Sequence, residues 1–163
     1  MELIILTGFM GAGKTTAGIE LGKKLNIPVY DTDHLLEEKF RMQVKEIFSA
    51  YGEERFRLAE TEILHDLPKA PAVITTGGGI VIKEENRTLL KKLGKIFFLN
   101  CDFDVLYGRL EEDTARPLLR EKNKDQMKDL FISRKPFYLD GSVPIDTTGK
   151  PPEAVALEII SRL

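Results

Sequence analysis

A short apolar run that breaks into glycines constrains this chain more than any other stretch. Residues 3–6, Leu-Ile-Ile-Leu, have the length and branching of a buried strand. They lead into Gly8-Phe9-Met10-Gly11-Ala12-Gly13-Lys14-Thr15, which fits G-x-x-x-x-G-K-[ST]. Thr16 follows, and Ala17, Leu21 and Leu25 then share one helical face. Strand, glycine-rich loop and helix form the context in which this string binds phosphate. Glycines without a Cβ let the backbone curl until successive N–H groups point inward. The helix starting near Lys14 adds its N-terminal N–H groups and the positive end of its dipole. Gly11, Ala12, Gly13, Lys14, Thr15 and Thr16 are therefore candidate ligands of a nucleoside triphosphate. Lys14 is long enough to reach the β- and γ-phosphates, and the Thr15 hydroxyl suits Mg²⁺. The competing reading is a tight glycine turn between a strand and a helix.

The rest of the composition narrows the class. A chain of 163 residues suggests one domain with a real core. Its formal net charge of −2 carries no basic footprint for nucleic acid. Cys101 is the only cysteine, which excludes an intrachain disulfide and a cysteine-based metal cluster. No apolar run approaches the ~20 residues of a membrane span. Met1 and Glu2 lead straight into the first strand, so no targeting segment is expected and a cytoplasmic setting fits.

Strand and helix patterns then alternate to the end. Val29-Tyr30-Asp31 reads as a strand, and residues 34–41 and 44–67 as helices, with Gly52 inside the second. Residues 72–76 read as a strand ending in Gly77-Gly78-Gly79, and residues 80–93 as a helix closed by Gly94 at C′. Residues 95–100 form the next strand, and Asp102 is placed to cap a helix through Leu110. Residues 111–125 are dense in charge and read as a loop. Residues 126–134 read as a helix stopped by Pro136, and 143–146 as a last strand that Pro144 assigns to a sheet edge. Pro151-Pro152 opens the final helix. Such alternation argues for a three-layer α/β/α domain around a mainly parallel sheet of about five strands. Sheets of this kind bind ligands at the C-terminal ends of their strands. The glycine loop, Asp31 and Asp33, and the glycine triplet all fall there.

Further candidates divide between chemistry and plain structure. Of Asp31 and Asp33, one can hold Mg²⁺, directly or through water, and the other can accept a hydroxyl proton. Aspartates after a strand also make turns and helix caps. Gly77, Gly78 and Gly79 allow a ligand to approach the backbone closely, or form a flexible turn. Arg57 and Arg134 suit an anionic substrate that needs a bidentate partner, although most arginines are surface charges. Arg116, within the charged loop, can close over phosphates as an arginine finger in cis, or remain a solvated charge. His34 and His65 lack ligand spacing. Cys101 lacks an activating neighbour.

In one consistent order these residues resemble the shikimate kinase family. The series is GFMGAGKTT from Gly8, DTD from Asp31, Ile47-Phe48, Gly52-Glu53, Phe56-Arg57, Glu60, and Thr76-Gly77-Gly78-Gly79. It ends with Arg116-Pro117-Leu118-Leu119 and Arg134 with Tyr138. The resemblance implies a nucleoside monophosphate kinase-like fold with strand order 2-3-1-4-5. It implies ATP-dependent phosphorylation of the shikimate 3-hydroxyl, a step toward chorismate and the aromatic amino acids. By the family's pattern Asp33 binds the substrate hydroxyls and is the candidate base. Arg57 and Arg134 hold the carboxylate, and the backbone of Gly77, Gly78 and Gly79 lines the ring. Thr15 ligates Mg²⁺, Asp31 orients it through water, and Lys14 and Arg116 neutralise the γ-phosphate. Arg109 and Pro152 flank the adenine. One domain over 1–163 is implied, with a substrate-binding segment at about 33–60 and a lid at about 111–124, acting as a monomer. The alternatives are another small-molecule kinase, with gluconate the nearest competitor because it too has a carboxylate, and a P-loop nucleotide switch.

Overall fold

The computed structural model describes residues 2–112 and 122–163. Its centre is β1 (Leu3–Thr7), buried along its whole length. A strand buried on both faces and hydrogen-bonded at both edges has no use for alternating polarity, which is why its sequence is a continuous apolar run. β3 (Val73–Thr75) pairs with one edge of β1, and β4 (Gly94–Asn100) with the other. β2 (Val29–Asp31) lies outside β3, and β5 (Ser142–Asp146) outside β4. All four pairings are parallel, and the order is β2-β3-β1-β4-β5. Pro144 lies in β5 at the edge, where its missing N–H costs no ladder bond.

Seven helices are described: α1 (Lys14–Leu25), α2 (Thr32–Phe40), α3 (Val44–His65), α4 (Glu84–Leu93), α5 (Phe103–Glu112), α6 (Lys124–Leu139) and α7 (Pro152–Ser161). The main core gathers the four apolar residues of β1, the apolar residues of β4 and the inner faces of α1, α5, α6 and α7. A smaller cluster of Leu36, Ile47, Phe56, Ala59 and Ile63 joins α2 to α3. At Gly52, α3 breaks: φ is 82° and ψ is 170°, a conformation natural only to glycine. Among the described residues, no helix is long and apolar enough to cross a membrane.

Several boundaries depart from the sequence reading, each for a local reason. The helix expected from residue 80 begins at Glu84. Residues 80–83 turn instead, with Ile80 and Ile82 N–H groups donating to the Gly77 and Gly79 carbonyls. The β-branched Ile80-Val81-Ile82 run weakens a helix there. The Asn86 and Arg87 side chains take the three carbonyls of that run. Gly94 is not a left-handed cap. Its φ of 177° is extended, and it opens β4 beside Leu3, whose carbonyl a Cβ would overlap.

Pro136 does not stop α6, which starts two residues early at an Asn123–Gln126 capping box and runs on to Leu139. Proline removes one intrahelical bond. The turn beyond it is held by Tyr138, which is buried, stacks on Phe98 with 5.1 Å between ring centroids, and donates to the Gly78 carbonyl. Asp31 caps α2 by accepting from the His34 N–H at 3.1 Å, so Asp33 sits in the first helical turn rather than in a loop.

Gly18 and Gly22 bring α1 down onto the sheet. A Cβ on Gly18 would overlap Thr75 Cγ2, and one on Gly22 would overlap Val29 Cγ2. Thr75 cannot rotate freely, because its hydroxyl donates to Asp31 Oδ2 at 2.7 Å. By propensity alone, Gly18→Ala should stabilise α1 by ~1 kcal/mol. Overpacking against a pinned side chain costs about 1–3 kcal/mol. Urea denaturation should therefore show Gly18→Ala less stable than the natural chain, and a gain in stability would refute this packing account.

Candidate active site

The candidate nucleotide cleft is assembled at the C-terminal end of β1. Gly11 and Gly13 both have positive φ, 81° and 87°, which curls the loop. No side chain caps α1 at Gly13, and Ala17 N–H donates to the Gly13 carbonyl at 3.0 Å. The first-turn N–H groups, those of Thr15 and Thr16 among them, thus have no acceptor within the helix and suit an anion. Lys14 Nζ donates to the carbonyls of Gly8 (2.5 Å) and Phe9 (3.0 Å), bridging the loop it belongs to. Arg109, on α5, donates to the Gly11 carbonyl at 2.8 Å. A cavity of about 400 Å³ is lined by Gly11, Ala12, Gly13, Lys14, Thr15, Thr16, Arg109 and Pro152. Every candidate nucleotide residue within the described chain therefore borders one space. Thr147 and Lys150 border it too. They follow β5, and the strand-end rule that singled out the other loops applies equally to them. Arg116 lies outside the described residues.

A second group of side chains gathers around the glycine triplet. Gly77 N–H donates to Thr32 Oγ1 at 3.0 Å, and the Gly78 carbonyl accepts from Tyr138. Asp33 packs against Gly77, where a Cβ would lie 2.6 Å from Asp33 Oδ1. Arg57 packs against Gly79 so closely that any Cβ would collide with its guanidinium. At Gly77 and Gly79 the missing Cβ thus lets an acidic and a basic side chain lie directly on the backbone. Arg57 also faces the rings of Phe48 and Phe56, themselves stacked at 4.3 Å. Arg134, on α6, is buried over Phe9 and lies beside the Tyr138 hydroxyl. Burial pushes the Tyr138 hydroxyl up to about 12, against the pull of Arg134, so it stays protonated and holds Gly78.

Glu60 completes this group. It lies one turn after Arg57 on α3, is 1% exposed, and accepts from Arg57 Nη1 at 2.7 Å. Burial pushes its carboxyl up to about 7, Arg57 pulls it down, and Asp33 adds a further upward push. The sequence shows Glu60 only as a member of a motif. Its i+3 spacing from Arg57 was the available signal. Two arginines and two carboxyls thus converge on a glycine backbone, a setting able to hold an anion by Arg57 and Arg134 and a hydroxyl by Asp33.

Asp31 ends β2, the edge strand beside β3. Its Oδ1 accepts from His34 N–H and its Oδ2 from Thr75. No trio of His, Cys, Asp or Glu side chains suited to a metal occurs among the described residues. A cation held by one carboxylate, a hydroxyl and substrate phosphates needs no such trio.

Known proteins place this geometry. The family profile described as shikimate kinase matches residues 10–163. The shikimate kinase of Bacillus cytotoxicus is 44% identical over 163 residues, covering 100% of this chain and 99% of its own. A solved structure of shikimate kinase from Acinetobacter baumannii, in complex with shikimate, superposes with a TM-score of 0.93 at 34% identity, covering 99% of this chain and 92% of that one. A gluconokinase from Sinorhizobium meliloti reaches a TM-score of 0.62 at 18% identity over 99% of this chain and 92% of its own, a likeness of fold alone. The full-length match and the glycine-lined cleft with its facing arginines agree: the chain belongs to the shikimate kinase family.

Proposed function

We propose that this chain transfers the γ-phosphoryl group of ATP to the 3-hydroxyl of shikimate, giving 3-phosphoshikimate and ADP in the route to chorismate. The observation that carries the residue assignment is the pairing of Arg57 with Gly79 and of Asp33 with Gly77 on one short backbone segment. A ring lying on that segment has its carboxylate beside Arg57 and Arg134 and a hydroxyl beside Asp33. Arginine forks suit the carboxylate because they stay charged and bind in a plane. Asp33 orients the acceptor hydroxyl and takes its proton.

Phosphoryl transfer asks the protein chiefly for alignment and charge neutralisation. The first turn of α1 binds the phosphates. Lys14 exchanges its contacts with the Gly8 and Phe9 carbonyls for the β- and γ-phosphates. Arg109 and Pro152 flank the base. Arg116 approaches the γ-phosphate from the lid at about 111–124, and closure there excludes water, which protects ATP from hydrolysis. The donor set suits Mg²⁺. The Thr15 hydroxyl would hold it directly. Asp31, with one lone pair on each oxygen already bonded to protein, would hold it through water. When bound, Mg²⁺ neutralises phosphate charge. Both groups of residues come from one chain, which supports a monomer as the working unit, and the chemistry belongs in the cytoplasm.

Coupled measurement of ADP release should show strong stimulation by shikimate and none by gluconate. Stimulation by gluconate would keep the nucleotide site but overturn the substrate. ATP binding with no stimulation by either would favour a nucleotide switch. Asp33→Asn should lower kcat by about 10²- to 10⁴-fold, the scale of a lost general base. ADP affinity and thermal midpoint should stay unchanged, and an unaltered kcat would remove Asp33 from the chemistry. Arg116→Ala should lower kcat by about 10³-fold or more, as for an arginine finger. An effect confined to the KM for ATP would make Arg116 a binding residue only.

A further inference from the structure

Glu60 has surroundings that phosphoryl transfer alone does not require. Its Oε1 accepts from Arg57, but its Oε2 is buried with no hydrogen-bond partner among the described residues. Arg57 Nε is likewise buried without a partner. The charged groups around the pair come from three helices: Arg57 and Glu53 on α3, Asp33 on α2, and Arg134 on α6 beside the hydroxyl of Tyr138. Glu53 is largely exposed and reaches Arg57 only at 3.6 Å, so water screens it.

A buried carboxylate with one oxygen unbonded is poorly stabilised as an anion. Arg57 is what keeps it charged. The reading above brings a second carboxylate, the substrate's, to the same guanidinium. Two guanidiniums, those of Arg57 and Arg134, then face three carboxyls, those of Glu60, Asp33 and the substrate, and where acids outnumber the cations that share their site, one of them is held protonated. Glu60 is the one to yield, because burial already disfavours its anion and it has an oxygen open to carry the proton. We infer that Glu60 takes up a proton from solvent as the substrate carboxylate docks on Arg57, so that Arg57 exchanges one anionic partner for another. The step is a simple protonation, carboxylate plus proton giving carboxyl, with the proton supplied by buffer. The inference rests on Arg57 being the carboxylate arginine of the proposed reaction.

The direction with pH follows. In the free protein Glu60 loses its proton near pH 7, where burial has placed it. Below pH 6 it is already protonated, and docking changes nothing. Above pH 7 docking must draw in a proton, so affinity falls as pH rises. By linkage, Kd for shikimate should rise about tenfold between pH 6 and pH 8. In Glu60→Gln the neutral amide stands in for the protonated acid, and this rise should vanish.

The test is titration calorimetry of shikimate into the full chain with saturating ADP, at pH 6 and pH 8, each in two buffers of different ionisation enthalpy. Uptake of close to one proton at pH 8, little at pH 6 and none in Glu60→Gln is the expected result. Binding whose heat is the same in both buffers at pH 8 would overturn the inference while leaving shikimate as substrate. Uptake that persists in Glu60→Gln would also overturn it, since the proton would then go elsewhere. Absence of shikimate binding at either pH would remove the substrate assignment and this inference with it. The two-buffer comparison on the natural chain needs no variant, so a Glu60→Gln chain that failed to fold would leave the test intact.

Discussion

Every group in the cleft is mounted on the hydrogen bonding of β1 to its two neighbours. Leu6 pairs in register with Thr75 on one side and Phe97 on the other. Parallel register sends the three strands toward one edge of the sheet and brings the ends of β1 and β3 within one residue of each other. The chain leaves each at the same edge, so the glycine loop and the glycine triplet start side by side. The Thr76 hydroxyl and N–H both bond to the Leu6 carbonyl, tying the exit of β3 to β1 one residue before the triplet. A slip of one residue would turn buried side chains of β1 toward the wrong layer and part the two loops.

Close approach is the second theme. At Gly18 and Gly22 the missing Cβ lets α1 sit on the sheet, which sets the height of the phosphate loop above β3. At Gly77 and Gly79 it lets Asp33 and Arg57 lie on the backbone. Both uses of glycine give up chain entropy for proximity. The polar groups gathered this way are then nearly desolvated, which strengthens their mutual interaction and raises the cost of any left unmatched. Tyr138 shows the satisfied case, a buried hydroxyl bonded to Gly78. Glu60 shows the strained case, a buried carboxyl with one oxygen bonded and one not.

Legibility in the sequence followed the range of the forces involved. β1, α1 and the phosphate loop were readable because their signals are local: an apolar run, glycines at fixed spacing and a helical face. Asp102 and Pro152 likewise act within a turn of their own position, and both helices start where expected. The errors came where a specific partner, near or far along the chain, overruled a local tendency. Pro136 argues for a stop, yet Tyr138 is anchored to Gly78, sixty residues away in sequence. Ile80, Val81 and Ile82 read as the start of a helix, but the Asn86 and Arg87 side chains claim their carbonyls. Gly94 is glycine for its closeness to Leu3 rather than for a left-handed turn.

The sequence by itself determined the parallel α/β layering, the phosphate loop and the ordered set of motifs that marks the family, since each is written in neighbouring residues or in their order along the chain. Only the tertiary structure decided which charges meet. Asp33, Arg57, Glu60 and Arg134 come from three helices; the i+3 spacing puts Arg57 and Glu60 on one helical face, but nothing in the spacing says that this pair is buried or that its guanidinium lies on Gly79. Charge interactions depend on distance through space and on the water excluded between the groups. Both are set by packing, after the chain has closed on itself.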